Sequence, residues 1–195
     1  MRARVRRYGV LLSALALLAG CEATRFEQAP LTAEAACDPA LAGRWLSVAE
    51  PPGPDGEMEL QVSADCLLAV VEYQGEQRRT GEVARLHTGR HGGHRYAWVD
   101  AGWAHRRFEV DLAVAEGAVY LVRYRVQGDV LDVRSPDTRR VAHLIIDQEL
   151  DGEVVARDYS IFSRVDVADG LAALERADFF KPEPLRFRRA LEQPR

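Results

Sequence analysis

The sequence predicts a mainly β protein, β-rich α+β in class, built as an antiparallel, strongly curved sheet or barrel with two helices in its C-terminal third. Three observations predict it. Short runs of alternating hydrophobicity recur between residues 57 and 114 at the spacing of antiparallel folds. A Gly128-Asp129 pair joins two further runs in a register that matches apolar with apolar and acid with base. Beyond Arg134 the period lengthens to that of a helix, shortens, and lengthens again.

The N-terminus is organised differently. Arg2, Arg4, Arg6 and Arg7, with no acid among them, precede an apolar run from Val10 to Ala19. That run suits a signal-peptide core and falls short of the ~20 residues a transmembrane helix needs. It ends in Leu18-Ala19-Gly20-Cys21, which resembles the lipobox of bacterial lipoproteins: an aliphatic residue, two small residues and a cysteine. The resemblance implies a signal peptide over 1–20, cleavage after Gly20 and acyl chains on Cys21. Each methylene buried in a bilayer contributes ~0.8 kcal/mol, so two or three chains make a durable anchor. Residue 22 is Glu, not the Asp that marks inner-membrane retention in enteric bacteria, and the resemblance then implies the periplasmic face of the outer membrane. Residues 22–36 are polar and Ala-rich without a hydrophobic period. Residues 21–36 therefore read as a lipidated N-terminus and flexible tether, and 37–195 as one globular domain.

Within the domain, Met58, Leu60 and Val62 alternate with Glu57, Glu59 and Gln61, as in a strand with one wet face. After a turn at Ala64-Asp65, Cys66 to Tyr73 is almost continuously apolar, the pattern of a strand buried on both faces. Tyr96 and Trp98 alternate with Arg95, Ala97 and Val99. Phe108, Val110, Leu112 and Val114 also alternate with polar neighbours and read as a strand, closed by a turn at Glu116-Gly117. The Gly128-Asp129 hairpin sets Val126 opposite Leu131, Tyr124 opposite Val133 and Arg125 opposite Asp132; a slip of one residue would spoil all three.

Ser135 then reads as a helix N-cap with Pro136 in the first turn, Val141, Leu144 and Ile145 on one face, and Gly152 as terminator. Tyr159, Ile161, Ser163 and Val165 suggest a strand. A second helix begins near Asp166 or Asp169, carries Leu171 and Leu174 inward, and must stop before Pro182. Leu185 and Phe187 alternate with Arg186 and Arg188 in a closing strand. The one conspicuous linker is Pro51-Pro52-Gly53-Pro54.

Charge and cysteines narrow the function. Removing residues 1–20 takes four arginines and no acid, which moves the net charge from −4 to −8 and disfavours a nucleic-acid partner. Lys181 is the only lysine; the arginines are scattered, many opposite acids. Beyond Cys21 only Cys37 and Cys66 remain. In an oxidising compartment such a pair is a disulfide; the rival, a Cys/His metal site, lacks CxxC spacing.

Leu41-Ala42-Gly43-Arg44-Trp45 stands just before the first strands of the domain. Its Gly-x-Trp is similar to the start of the lipocalins and their barrel-forming relatives. That resemblance implies a lipocalin-like barrel in which Trp45 closes the bottom and an arginine of the last strand, Arg186 or Arg188, packs over it. A later Thr-Asp-Tyr signature of that family is missing here.

No motif names a reaction. Ser160 and Ser163 lie in a strand pattern, Gly-x-Ser-x-Gly does not occur, and Asp147, Glu149, Asp151 and Glu153 sit about a helix end as a solvated face would. Phosphate loops and dinucleotide fingerprints are missing too, so no cofactor is implied. His87, His91 and His94, with His105 further on, invite a metal reading, but they surround a Gly-rich turn and lack a fourth ligand. Tyr96, Trp98, Phe108, Tyr120 and Tyr124 are candidates to line a ligand cavity or simply to fill a core. Two function classes stay open: a binding module for a small apolar or amphipathic ligand, and an envelope interaction protein with a solid core. A cavity of ~300 Å3 or more would mark the first.

Overall fold

A computed structural model describes residues 22–48, 58–74, 77–108, 110–157 and 160–190. The signal sequence, Cys21, the Pro51–Pro54 segment and Tyr159 lie outside them. The chain is mainly β, as the sequence predicts. Its strands are β1 (Glu22–Phe26), β2 (Gly43–Ser47), β3 (Met58–Val62), β4 (Leu67–Gln74), β5 (Gln77–Thr80), β6 (Ala84–Arg85), β7 (His87–His91), β8 (His94–Asp100), β9 (Val119–Gln127), β10 (Val130–Arg134), β11 (Gly152–Arg157), β12 (Ser160–Val165) and β13 (Leu185–Arg189). Helix α1 (Ala101–Phe108) interrupts them, and α2 (Thr138–Ile146) and α3 (Gly170–Glu175) fall in the last third.

All thirteen strands belong to one sheet with the path β11-β12-β1-β9-β10-β13-β2-β3-β4-β5, and β1–β12 is its parallel pair. Strand β9 is the branch point. β8 takes one edge from Val119 to Tyr124, while β1 meets the other edge at Val119 and β10 follows it from Arg123. The sheet curves strongly but does not close into a barrel. The chain pairs with β4 through the two residues of β6, then changes partner beyond Leu86 to pair with β8 through β7, so no ladder seals that seam.

Curvature and pleat divide the interior. On the inner face Ala97, Val99, Tyr120 and Tyr124 join Trp45, Leu131 and Phe187. On the outer face Tyr96, Trp98 and Leu121 pack against α2 and α3 through Val141, Leu144 and Leu174. β8 and β9 are therefore buried on both sides over much of their length.

The Gly128-Asp129 hairpin has the register expected, Val126 with Leu131, Tyr124 with Val133 and Arg125 with Asp132, and Gly128 takes the positive φ (57°) that the turn requires. Other expectations need correction. The tether reading fails at its start: Glu22–Phe26 is β1, paired along its whole length with β12, and Phe26 is fully buried. Its polar letters are satisfied by the ladder and by contacts such as Thr24 Oγ1 donating to Thr138 Oγ1 at 3.1 Å. The strand read at Phe108–Val114 is not one. Helix α1 runs from Ala101 to Phe108, is capped by the preceding Asp100, whose Oδ1 accepts from Trp103 N at 2.7 Å, and buries Trp103 and Ala104. The N-cap of α2 is Asp137, not Ser135, since its carboxylate accepts from Arg140 N. Gly152 does not end that helix. It opens β11, an unanticipated strand, where an added Cβ would lie 2.2 Å from the Arg164 carbonyl oxygen. Leu174 is buried as expected, but Leu171 is exposed.

Cys37 and Cys66 form a disulfide, S–S 1.98 Å. It ties the segment before β2 to the turn before β4. Because it closes a loop with a sequence separation of 29, Cys37→Ser or Cys66→Ser should lower the unfolding free energy by about 2–4 kcal/mol. Denaturant melts with and without reductant check this; coincident curves would show the bridge to be energetically idle.

Candidate functional site

Alternation on β3, β4, β9 and β10 turns Leu60, Val70, Val122 and Val133 to the concave side, where they surround an apolar cavity of about 110 Å3. At Leu41, which lines it, the cavity wall meets a cluster built around Trp45. The Trp45 ring is fully buried, its Nε1 donates to Leu41 O at 2.8 Å, and the Arg189 guanidinium lies over it at 4.1 Å. Arg189 also donates to Ala42 O (2.7 Å) and Ala40 O (3.0 Å). The arginine over the tryptophan is thus Arg189, not Arg186 or Arg188. Gly43 has φ +130°, and a Cβ there would stand 2.5 Å from Arg189 Nη1. The Gly-x-Trp spacing has a physical reason: the glycine leaves room for the guanidinium that covers the ring two residues on.

Beside this cluster Asp38 is buried and accepts from Tyr124 Oη at 2.6 Å, from Ala40 N at 3.0 Å and from Arg95 Nη1. Burial alone would raise the Asp38 pKa; the three donors outweigh it and bring the carboxyl below its usual range. Tyr124 is pushed well above the phenol range, first by burial and then by this carboxylate.

Helix α1 covers the end nearer Val119. His105 Nδ1 lies 2.8 Å from Leu112 O and Nε2 lies 2.8 Å from the Tyr120 hydroxyl. A carbonyl only accepts, so Nδ1 carries the proton and Nε2 accepts from Tyr120. Burial lowers the His105 pKa and raises that of Tyr120 to about 12, which keeps both neutral.

Of the five aromatics singled out from sequence, Phe108, Tyr120 and Tyr124 line the cavity, and Trp98 borders it while stacking on His87 at 5.8 Å. Tyr96 does not line it. It is turned to the outer core against Phe180, 6.0 Å between ring centres. The histidines disperse: His91 Nε2 pairs with Glu175 Oε1 at 2.9 Å, His94 meets Tyr96 edge-on, and His105 is in the inner core. No group of three or more His, Cys, Asp or Glu able to hold a metal is found among the described residues.

Sequence reasoning missed Glu59, expected on a wet face and in fact fully buried. Arg44 grips it through Nε–Oε1 (2.5 Å) and Nη2–Oε2 (2.9 Å), and Gln61 and Tyr73 donate to it at 2.8 and 2.7 Å. The available signal was an acid within reach of an arginine on the preceding strand, which has meaning only once the β2–β3 register is known.

Fold and site together define an open, curved sheet with an apolar interior, beside which a buried tryptophan is covered by an arginine. Comparison with protein-family models, curated proteins and solved structures finds no match for the chain.

Proposed function

We propose that the protein is a lipid-anchored component of the bacterial cell envelope, held through Cys21 on the periplasmic face of the outer membrane, that takes a small apolar or amphipathic ligand into its curved sheet. The observation that supports the binding reading is the cavity: about 110 Å3, bordered by aliphatic and aromatic side chains such as Leu60, Val122 and Phe108. Apolar cavities of about 150 Å3 stay dry and admit a benzene-sized group. At about 110 Å3 this one is smaller than that and short of the ~300 Å3 that marks a ligand pocket, and it has room for part of an apolar group such as the end of an acyl chain. A second reading, an envelope interaction protein that uses no ligand, is favoured by the same volume, since ligand pockets typically run to ~300 Å3 or more.

Fluorescence titration with a lipophilic probe separates the two. Val122→Phe places a ring on the inner face next to the cavity and should weaken saturable probe binding while the melting temperature holds. No saturable binding by the wild type, and no apolar molecule carried by protein extracted from its own envelope, would leave the interaction reading. For the anchor, the wild type should incorporate labelled fatty acid and Cys21→Ser should not; an unlabelled wild type would end that part of the proposal.

A further inference from the structure

The outer face of β9 changes character where the helical layer stops. Val119 and Leu121 are buried beneath that layer, but Arg123 and Arg125, next on the same face, are only partly covered or exposed. β10 sets Arg134 directly opposite Arg123, and Asp132 opposite Arg125. With His94 of β8, these side chains line an open groove of about 530 Å3.

The lining of the groove carries three arginines and one acid, Asp132. Like charges on opposed strand positions destabilise a sheet, and no acid stands between Arg123 and Arg134. Asp132, the carboxylate in the groove, is already engaged by Arg186 Nε at 2.9 Å. Arg134 is tethered through Nη1 to the carbonyls of Lys181 and Pro182. Arg123 rests on the Phe180 ring at 4.7 Å and makes no hydrogen bond to a described residue. Burial, with Arg134 nearby, draws its guanidinium below the usual arginine range. A guanidinium held over a ring without a hydrogen-bonded partner among the described residues, beside a second guanidinium, keeps donors to offer a tetrahedral oxyanion.

We infer that this groove binds a phosphate group, shared between the guanidinium groups of Arg123 and Arg134 and flanked by Arg125 and His94. The topology also indicates where the phosphate comes from. β1 runs antiparallel to β9 on the edge that β10 occupies from Arg123 onward, so Glu22 lies toward the Arg123–Arg134 end. Glu22, Val122, Ser135 and Lys181 border one crevice there. Glu22 follows Cys21 directly in the sequence, so an acyl chain on Cys21 would draw this end of β1, and the groove with it, toward the membrane. The phosphate is then that of a lipid headgroup, a step that rests on the anchor reading; the arginine chemistry does not.

The test uses the mature lipoprotein in non-ionic micelles, with the arginine side-chain NMR signals as readout. It is titrated with inorganic phosphate, and with the same micelles carrying phosphatidylglycerol or phosphatidylcholine. Phosphatidylglycerol should saturate the signals of Arg123 and Arg134. Arg123→Gln and Arg134→Gln should each weaken binding about tenfold or more, the loss of a charge-assisted hydrogen bond. Arg123→Lys should fall between, keeping charge without the fork, and binding should weaken with added salt. Arg139→Gln, beside Glu22 but outside the groove, should change nothing. Saturation by phosphatidylglycerol alone assigns the lipid headgroup; equal saturation by inorganic phosphate assigns free phosphate. If Arg123→Gln does not fold, the exposed Arg125→Gln carries the comparison. Absence of any shift, or wild-type affinity in folded Arg→Gln variants, overturns the inference. Phosphate binding by a protein that takes up no fatty acid would remove only the headgroup source.

Discussion

Acidification from pH 4.5 to about 2 is expected to remove of order 3 kcal/mol of stability, most of it through Glu59. The bidentate Arg44 contact, with hydrogen bonds from Tyr73 and Gln61, lowers the folded-state pKa of Glu59 from 4.5 to about 2 against the opposing effect of burial. A group whose folded pKa is depressed binds its proton more readily when unfolded. Its contribution is therefore complete above pH 4.5 and is lost as the pH falls toward 2. Asp38 acts in the same direction, since its folded pKa is also lowered. Urea melts across this range should show a steep decline for the wild type and a shallower one for Glu59→Gln, which keeps the shape but cannot ionise. Arg44→Ala should cost about 3 kcal/mol at neutral pH by leaving a buried carboxylate without its cation. Parallel pH profiles for wild type and Glu59→Gln would assign the acid sensitivity elsewhere.

What could be seen in the sequence follows from how many independent constraints each element carries. The β9–β10 hairpin is legible because a primed-turn glycine, an apolar face and an Arg125–Asp132 pair all demand one register. The disulfide is legible because two cysteines leave one pairing. Helix α1 is not. Its sequence, AGWAHRRF, has Gly102 near the start and Phe108 at the end, and Phe108 with Val110 and Leu112 imitates a strand. Burial of Trp103 and Ala104 over the end of the inner core decides the matter, and that is tertiary information. β1 was hidden for the converse reason, because its order comes from β12, which lies more than a hundred residues away. The aromatic lining of the cavity was half legible. Alternation correctly groups Tyr96 with Trp98 and Tyr120 with Tyr124. It cannot say which face is concave when β8 and β9 carry a core on each side.

Trp45→Ala is expected to be the most damaging single change, at roughly 3–5 kcal/mol, because a large, fully buried ring leaves a void that the surrounding strands cannot collapse to fill. The loss exceeds apolar burial alone. Removing the indole withdraws the surface on which Arg189 lies at 4.1 Å and leaves the Leu41 carbonyl without its donor. Gly43→Ala tests the same cluster from the other side. Its φ of +130° is strained for any L side chain, and the added methyl would meet Arg189 Nη1 at 2.5 Å, forcing the guanidinium off the ring. A cost of about 1–3 kcal/mol is expected from the strained backbone, with the lost cation–π contact added to it. In the Arg189→Ala background the clash is gone, so Gly43→Ala should cost less there, and Trp45→Ala should lose its cation–π component. Double-mutant cycles on thermal and denaturant melts measure both couplings. Additive losses within about 0.3–0.5 kcal/mol for Gly43 with Arg189 and for Trp45 with Arg189 would show that the three residues do not act as one cluster, and that Gly-x-Trp here is only a turn beside a core tryptophan.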